Sequence, residues 1–222
     1  RGVGVEVNYQ EALRLFTSAS QKGNPWANNS LGEMYRLGQG VAVDFFEAAK
    51  NYRIAANKGN GLAQANLALL YRRGQGVEKN GETAFYLASQ SSQQNFGAGW
   101  NQLGLLYRDG FGVRQNSQKA IESFKNAVAP TVKFPTLIAY SNLGAMYLYG
   151  IGLPSDGGEA VKWLELGVKH SQLESTVLLS EVIARGANSV PADPVRAFTL
   201  AKQAYDWGSA DAANNLGWFY RD

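Results

Sequence analysis

The sequence predicts an all-α protein built from stacked helix-turn-helix repeats of about 36 residues, and three observations lead to this prediction. A motif with a leading leucine, a small residue, a tyrosine and a Gly-x-Gly loop recurs along the chain. A residue that can cap a helix follows each loop, and small residues then recur at helical spacing. The leading leucines are Leu31, Leu67, Leu103, Leu143, Leu179 and Leu216, at spacings of 36, 36, 40, 36 and 37 residues.

Composition favours a folded chain and excludes several kinds of site. Of the 222 residues, 45% are hydrophobic and 18% are charged, which is typical of folded proteins. The chain has no cysteine, which excludes disulfides, thiolate metal sites and cysteine nucleophiles. No apolar run approaches the ~18 residues of a membrane-spanning helix, so no direct membrane insertion is expected. The net charge of +3 is small, so nucleic acid is not an expected partner.

The repeats define a single array over residues 1–222. The complete repeats are 24–59, 60–96, 97–136, 137–171 and 172–208, with partial repeats at 1–23 and 209–222. The sequence begins with residues that match a Gly-x-Gly-Val loop and stops inside another repeat. We therefore expect a fragment of a longer array.

The second helix of each repeat has predictable ends. Its candidate N-caps are Asn8, Asp44, Asn80, Asn116, Asp156 and Asp193. Three residues later, Glu11, Glu47 and Glu159 predict capping boxes. Small residues four and eleven positions after each cap predict a face for close helix packing. The candidate ends of the helix are Gly23, Gly59, Asn95 and Gly208.

In the first helix, Leu31 and Met34 share a buried face, and Gly32 is expected to leave room for a neighbouring backbone. Two stretches depart from the pattern. Residues 129–136 contain four extra residues and two prolines, which predicts an irregular turn. In a later loop, Asn188 replaces the second glycine. Both stretches are expected to perturb the stacking angle.

These motifs together resemble the Sel1-like repeat family, which is related to the tetratricopeptide repeat. The matching elements are Leu-Gly-x-Met-Tyr, Gly-x-Gly-Val, the Asn or Asp cap and the small-residue helix, and they cover essentially the whole chain. The resemblance implies a right-handed α-solenoid. It also implies a role as scaffold or adaptor in bacterial envelope functions, host interaction or eukaryotic membrane-protein assembly. On this basis the bacterial periplasm or cell envelope is the expected location.

The sequence offers no constellation for catalysis. The single histidine, His170, aligns with Lys22 and Lys58 at the end of a second helix, where an exposed position is expected. No acid pair, Ser-His-acid set or metal-ligand cluster recurs at usable spacing. The Gly-x-Gly loops follow helices and not strands, which indicates turns and not phosphate binding. We therefore expect no enzymatic activity, catalytic residue, metal or cofactor.

The residues that vary between repeats form the candidate binding site. On each first helix they lie roughly opposite the packed face, where a tetratricopeptide-like solenoid has its concave surface. We call these positions the first-helix stripe and predict that a partner protein contacts them. The predicted contacts are Trp26, Asn29, Arg36, Leu62, Leu69, Arg72, Asn101, Leu105, Arg108 and Ile138, with Trp207 and Trp218 as additional candidates.

Alternatives remain open for each part of this prediction. The arginines could bind partner carboxylates, but repetition with the motif favours bonds to loop carbonyls of their own repeat. The apolar positions favour an interface. Asn29 and Asn101 could clamp a peptide backbone or could simply be solvated. Trp207 could fill a gap beside the irregular loop before Pro191 or could contact a partner.

The sequence therefore predicts a non-enzymatic scaffold or adaptor for protein–protein interaction. One alternative is an inhibitor or immunity protein that neutralises an enzyme or toxin. Another is a glycan- or polymer-binding protein of envelope or exopolysaccharide assembly.

Overall fold

A computed structural model of the chain describes residues 5–187 and 190–221. Within these ranges it contains twelve α-helices and no β-strand, which confirms the all-α class. The chain divides into two compact units. Unit 1 comprises Arg1–Gln115 with Val132–Phe134, and unit 2 comprises Asn116–Thr131 with Pro135–Asp222.

Each unit contains six helices. Those of unit 1 are α1 (Tyr9–Gln21), α2 (Pro25–Leu37), α3 (Phe45–Asn57), α4 (Gly61–Arg73), α5 (Gly81–Gln93) and α6 (Gly97–Asp109). Those of unit 2 are α7 (Ser117–Ala127), α8 (Ile138–Leu148), α9 (Gly157–Lys169), α10 (Leu173–Arg185), α11 (Pro194–Asp206) and α12 (Ala210–Arg221). Even-numbered helices are the first helices of the repeats, and odd-numbered helices are the second.

The predicted ends of the second helices are confirmed. At all six predicted N-caps the side-chain oxygen accepts a hydrogen bond from an amide of the first turn. The Asp44 carboxylate, for example, accepts from the amides of Phe46 and Glu47 at 2.9 and 3.0 Å. The residues predicted to end these helices have positive φ angles, and they are Gly23, Gly59, Asn95 and Gly208.

The predicted capping boxes are wrong at Asp44 and Asp156, because the cap amides have other partners. The Asp44 amide donates to the Tyr35 carbonyl at 2.9 Å, and the Asp156 amide donates to the Tyr147 carbonyl at the same distance. The glutamates instead form ion pairs with basic residues one turn later. These pairs are Glu11–Arg14, Glu47–Lys50 and Glu159–Lys162. At these two caps the backbone therefore joins the second helix to the first helix of its own repeat.

The Gly-x-Gly loops tie each repeat to the one before it. In the second loop, Gly74 and Gly76 have φ angles of +69° and +67°. A Cβ atom at Gly76 would lie 2.0 Å from the carbonyl oxygen of Phe45, so the loop backbone lies directly against the start of α3. In unit 2, Gly152 lies against the side chain of Ser117 at the start of α7. The interpretation of these loops as turns is confirmed.

The glycine of the Leu-Gly motif makes room for a side chain and not, as predicted, for a backbone. A Cβ atom at Gly32 would lie 2.6 Å from the ring of Tyr52, which is fully buried between α2 and α3. In unit 2, a Cβ atom at Gly144 would lie 2.5 Å from the buried side chain of Leu164. These contacts allow a large residue of the second helix to enter the first helix's surface.

The two atypical stretches are irregular in the structure. Residues 128–137 connect α7 to α8 without regular structure, as the prolines predict. Within unit 1, the Lys133 amide donates to the Asn95 carbonyl at 2.8 Å, and the Gly97 amide donates to the Lys133 carbonyl at 2.9 Å. Asn188 lies outside the described residues. The predicted effect of both stretches on the stacking angle stays a prediction.

We expect Gly76→Ala to destabilise the fold far more than Gly59→Ala. Both glycines have positive φ angles, so alanine costs each about 1–2 kcal/mol in backbone conformation. Only Gly76 has backbone atoms within reach of the new methyl group, whereas Gly59 has nothing within 4 Å. Overpacking should add roughly 1–3 kcal/mol at Gly76. Urea unfolding would measure both variants, and equal losses would contradict the role of this contact.

Candidate partner-binding surface

The first-helix stripe of unit 1 is only partly exposed. Trp26, in the first turn of α2, is 48% exposed, while Leu62 and Leu69 on α4 are half-buried. Three further predicted contacts are buried, and they are Asn29, Asn101 and Leu105. The stripe is therefore an intermittent surface and not a continuous apolar floor.

The buried asparagines occupy a position of helix packing. Asn66 Nδ2 on α4 donates to Asn29 Oδ1 on α2 at 3.1 Å, which joins the first helices of two successive repeats. Asn101 is buried at the corresponding position of α6, with 5% of its surface exposed. The prediction that these side chains clamp or are solvated at an open groove is not supported by their burial.

The arginine row bonds to side chains and not to the loop carbonyls predicted from the sequence. Arg36 donates to the hydroxyl of Tyr52 at 3.3 Å and to the carboxylate of Glu33 at 3.0 Å. Arg72 Nε donates to Gln102 Oε1 on the next first helix at 3.3 Å. The third arginine, Arg108, pairs with Asp109 at 2.7 Å. These contacts hold the arginines against the protein surface, although each remains partly exposed.

Tyr52 and Arg36 each affect the pKa of the other. Burial strongly raises the pKa of Tyr52, and the charge of Glu33 raises it further, while Arg36 acts in the opposite direction. Burial alone would lower the pKa of Arg36, but its bonds to Tyr52 and Glu33 raise that pKa overall. At neutral pH the pair is therefore a neutral phenol held by a charged guanidinium.

An aromatic cluster, formed by Trp26, Phe96 and Phe134, lies beside the stripe in unit 1. The rings of Trp26 and Phe96 have centroids 6.5 Å apart, and those of Phe96 and Phe134 are stacked at 5.9 Å. Phe96 is buried, whereas Phe134 is 60% exposed. The ammonium of Lys133 lies 5.4 Å from the centroid of the Phe96 ring. The cluster therefore presents two large exposed aromatic side chains supported by a buried third.

In unit 2, three predicted contacts are exposed. They are Ile138 at the start of α8, Trp207 at the end of α11 and Trp218 on α12. A cavity of about 580 Å³ lies between α10 and α12, and we call it the α10–α12 cavity. Its lining residues are Ser180, Glu181, Ala184, Arg185, Pro194, Asn215, Trp218 and Phe219. His170, also in this unit, is exposed as predicted, with its ring stacked on Tyr140 at 5.6 Å.

Comparison with known sequences decides the family. The Sel1 repeat pattern matches six segments that together cover most of the chain. They are residues 1–24, 27–60, 61–96, 101–125, 137–170 and 174–209. The chain belongs to the Sel1 repeat family. No curated protein matches the sequence.

Solved structures of similar fold include other Sel1 repeat proteins. One from Oxalobacter formigenes is 27% identical with a TM-score of 0.73, and the match covers 94% of this chain and 81% of that one. A protective antigen present in uropathogenic Escherichia coli strains is 26% identical with a TM-score of 0.67. That match covers 98% of this chain but 46% of the antigen, so the chain spans about half the antigen's length.

An immunity protein from Pseudomonas aeruginosa has a TM-score of 0.63, and the match covers 94% of this chain and 76% of that one. It is only 15% identical, so this similarity shows the fold alone. Family and neighbours together confirm the predicted class, a solenoid of helical repeats.

One set of Sel1 repeat positions was missed by the sequence interpretation. The residue before the leading leucine bonds to the preceding first helix in three repeats. The pairs are Asn66–Asn29, Gln102–Arg72 and Asn215–Glu181. The signal was available in the sequence, since this position is polar in five of six repeats: Ser30, Asn66, Gln102, Asn142 and Asn215, with Leu178 as the exception.

Residues 5–187 and 190–221 have neither a membrane-spanning helix nor a metal-binding cluster. In this part of the chain no helix has the length and hydropathy needed to cross a lipid bilayer. The same residues contain no group of three or more histidine, cysteine or acidic side chains arranged to hold a metal ion.

The raised pKa of Tyr52 predicts a loss of stability at alkaline pH. The ordinary pKa of a tyrosine is near 10, and that of Tyr52 in the folded chain is higher. This difference stabilises the fold at pH values below 10, and the contribution is lost as the pH rises above 10. Tyr52→Phe should therefore show a smaller drop in unfolding free energy between pH 8 and pH 11 than the natural chain. Urea unfolding at both pH values is the measurement, with the exposed Tyr86→Phe as control. An unchanged drop in Tyr52→Phe would contradict this assignment.

Proposed function

We propose that this Sel1 repeat array is a non-enzymatic scaffold that binds a partner protein through the aromatic cluster and the exposed part of the first-helix stripe. The observation that carries the proposal is the exposure of Trp26 and Phe134 on a buried Phe96. Large aromatic side chains held rigidly at a surface are typical anchors of protein interfaces.

The neighbouring stripe residues support a binding surface of mixed chemistry. Leu62 and Leu69 are half-buried on α4, and they supply apolar area on the same stripe as Trp26. Arg36 and Arg72 keep 24% and 18% of their side chains exposed while their own bonds fix their geometry. A fixed guanidinium needs less ordering when a partner carboxylate binds. The surface therefore suits a polypeptide segment with apolar side chains and a nearby acidic group.

The family supports the same general function. Sel1 repeat proteins are generally protein-interaction scaffolds and are typically non-enzymatic. The immunity protein from Pseudomonas aeruginosa is the observation that favours the inhibitor alternative, but its 15% identity supports a shared fold only. The repeated tyrosines do not support the glycan alternative, because Tyr35, Tyr71 and Tyr107 pack against the core of unit 1. The envelope location stays a prediction.

The proposal predicts that Trp26→Ala weakens partner binding by at least about tenfold, since anchor residues commonly contribute 2 kcal/mol or more. Leu69→Asp should weaken it similarly by placing a charge in the apolar part of the stripe. Affinity capture with the natural chain would identify partners, and each would then be titrated as a purified protein against the natural chain and both variants.

The matched control is Phe46→Ala. Phe46 is a 68% exposed aromatic residue on α3, a second helix, and lies outside the stripe. Its loss should leave the dissociation constant unchanged. Equal affinity of Trp26→Ala, Leu69→Asp and Phe46→Ala, with helicity intact, would reject the proposed surface.

A further inference from the structure

The α10–α12 cavity lies where its repeat has an alanine in place of the arginine that occupies the equivalent space in unit 1. In unit 1 the space between the first helices α4 and α6 contains Arg72, which donates to Gln102 at 3.3 Å. In unit 2 the repeat places Ala184 at the position of Arg72 and Asn215 at the position of Gln102. An alanine side chain ends at Cβ, so the space beside it is open, with a volume of about 580 Å³.

The walls of this cavity suit a guanidinium group. The Glu181 carboxylate accepts a hydrogen bond from Asn215 Nδ2 at 3.0 Å, which fixes its position, and the residue is exposed. Trp218 is 44% exposed, and the guanidinium of Arg221 lies 3.7 Å from its ring centroid. This contact shows that the indole can stack with a guanidinium. A carboxylate beside an aromatic face offers paired hydrogen bonds and stacking to the same planar cation.

The charge around the cavity favours a cationic ligand. A second cavity of about 420 Å³ also has Glu181 in its wall and adds the carboxylates of Glu174 and Asp211. The residues that line the two cavities include three carboxylates and one basic residue, Arg185, and Arg221 on the Trp218 ring adds a second positive charge beside them. The carboxylates remain in excess. Such a surface attracts a basic segment and disfavours an acidic one.

We infer that the α10–α12 cavity binds an arginine side chain presented by a partner polypeptide, in the space that Arg72 fills from within the chain in unit 1. This inference rests on the proposed scaffold function and adds the chemistry of one anchor residue of the partner. Lysine is the weaker ligand, because its compact, strongly hydrated ammonium lacks the planar face that stacks on Trp218.

The test uses the full 222-residue chain and two capped tripeptides, Ala-Arg-Ala and Ala-citrulline-Ala. Citrulline keeps the shape of arginine but carries no charge. The indole N–H signal of Trp218 is followed by NMR and is assigned among the five tryptophans with Trp218→Phe. We expect a saturable shift with the arginine peptide and at least fivefold weaker binding of the citrulline peptide. Equal binding of both peptides, or a shift that does not saturate, would overturn the inference.

Variants of the residues that line the cavity test whether the peptide binds there. Ala184→Arg should fill the space as Arg72 does and abolish peptide binding, and Ala184→Leu does the same with an apolar group if the arginine variant fails to fold. Glu181→Gln keeps the shape and should weaken binding at least threefold, whereas the control Glu122→Gln, an exposed glutamate of α7, should leave it unchanged. Unaltered binding in folded Ala184→Arg or Ala184→Leu would place the peptide elsewhere and reject the site.

The outcome is separable from that of the scaffold proposal. Trp26→Ala changes the aromatic cluster of unit 1 and should not affect the Trp218 shift. Partner binding that depends on Trp26 without any arginine binding at Trp218 would reject arginine binding at the cavity but would agree with the scaffold proposal. Arginine binding at Trp218 with a Trp26-independent partner would reject the proposed surface instead.

Discussion

The close contact between each Gly-x-Gly loop and the start of the preceding second helix is the constraint on which the array depends. At Gly76 the loop backbone approaches the Phe45 carbonyl so closely that no side chain can lie between them. The same loop leads into the next cap, whose amide returns to a tyrosine carbonyl of its own repeat. One short segment thereby sets the spacing to the previous repeat and the direction of the next helix.

Local signals predicted the parts of the fold that depend on neighbouring residues. Cap residues and positive-φ glycines act within a few positions, so their roles follow from the sequence alone. Contacts between helices were less predictable. The sequence indicated that Gly32 makes space, but not that Tyr52 enters it, because the partner's size and direction depend on how two helices are placed. The Tyr35 carbonyl as partner of the Asp44 amide was missed for the same reason.

The candidate site was predictable in its location but not in its exposed composition. Helical periodicity identifies the face of a first helix, yet the next repeat covers part of that face, as the bond between Asn66 and Asn29 shows. Of the aromatic cluster, periodicity predicted only Trp26. Phe134 comes from an irregular loop with no equivalent in the other repeats, and only the folded chain brings it onto Phe96.

Arg72 and Ala184 occupy the same position in two different repeats, beside the gap between successive first helices. Neither residue belongs to the cap or the glycine loop, so the caps and the loops are the same whichever of the two occupies this position. In these two repeats the gap between successive first helices is occupied by Arg72 in one case and forms a cavity beside Ala184 in the other. With the binding role inferred for this cavity, one substitution is enough to create or remove a binding pocket, while the caps and glycine loops that hold the repeats stay unchanged.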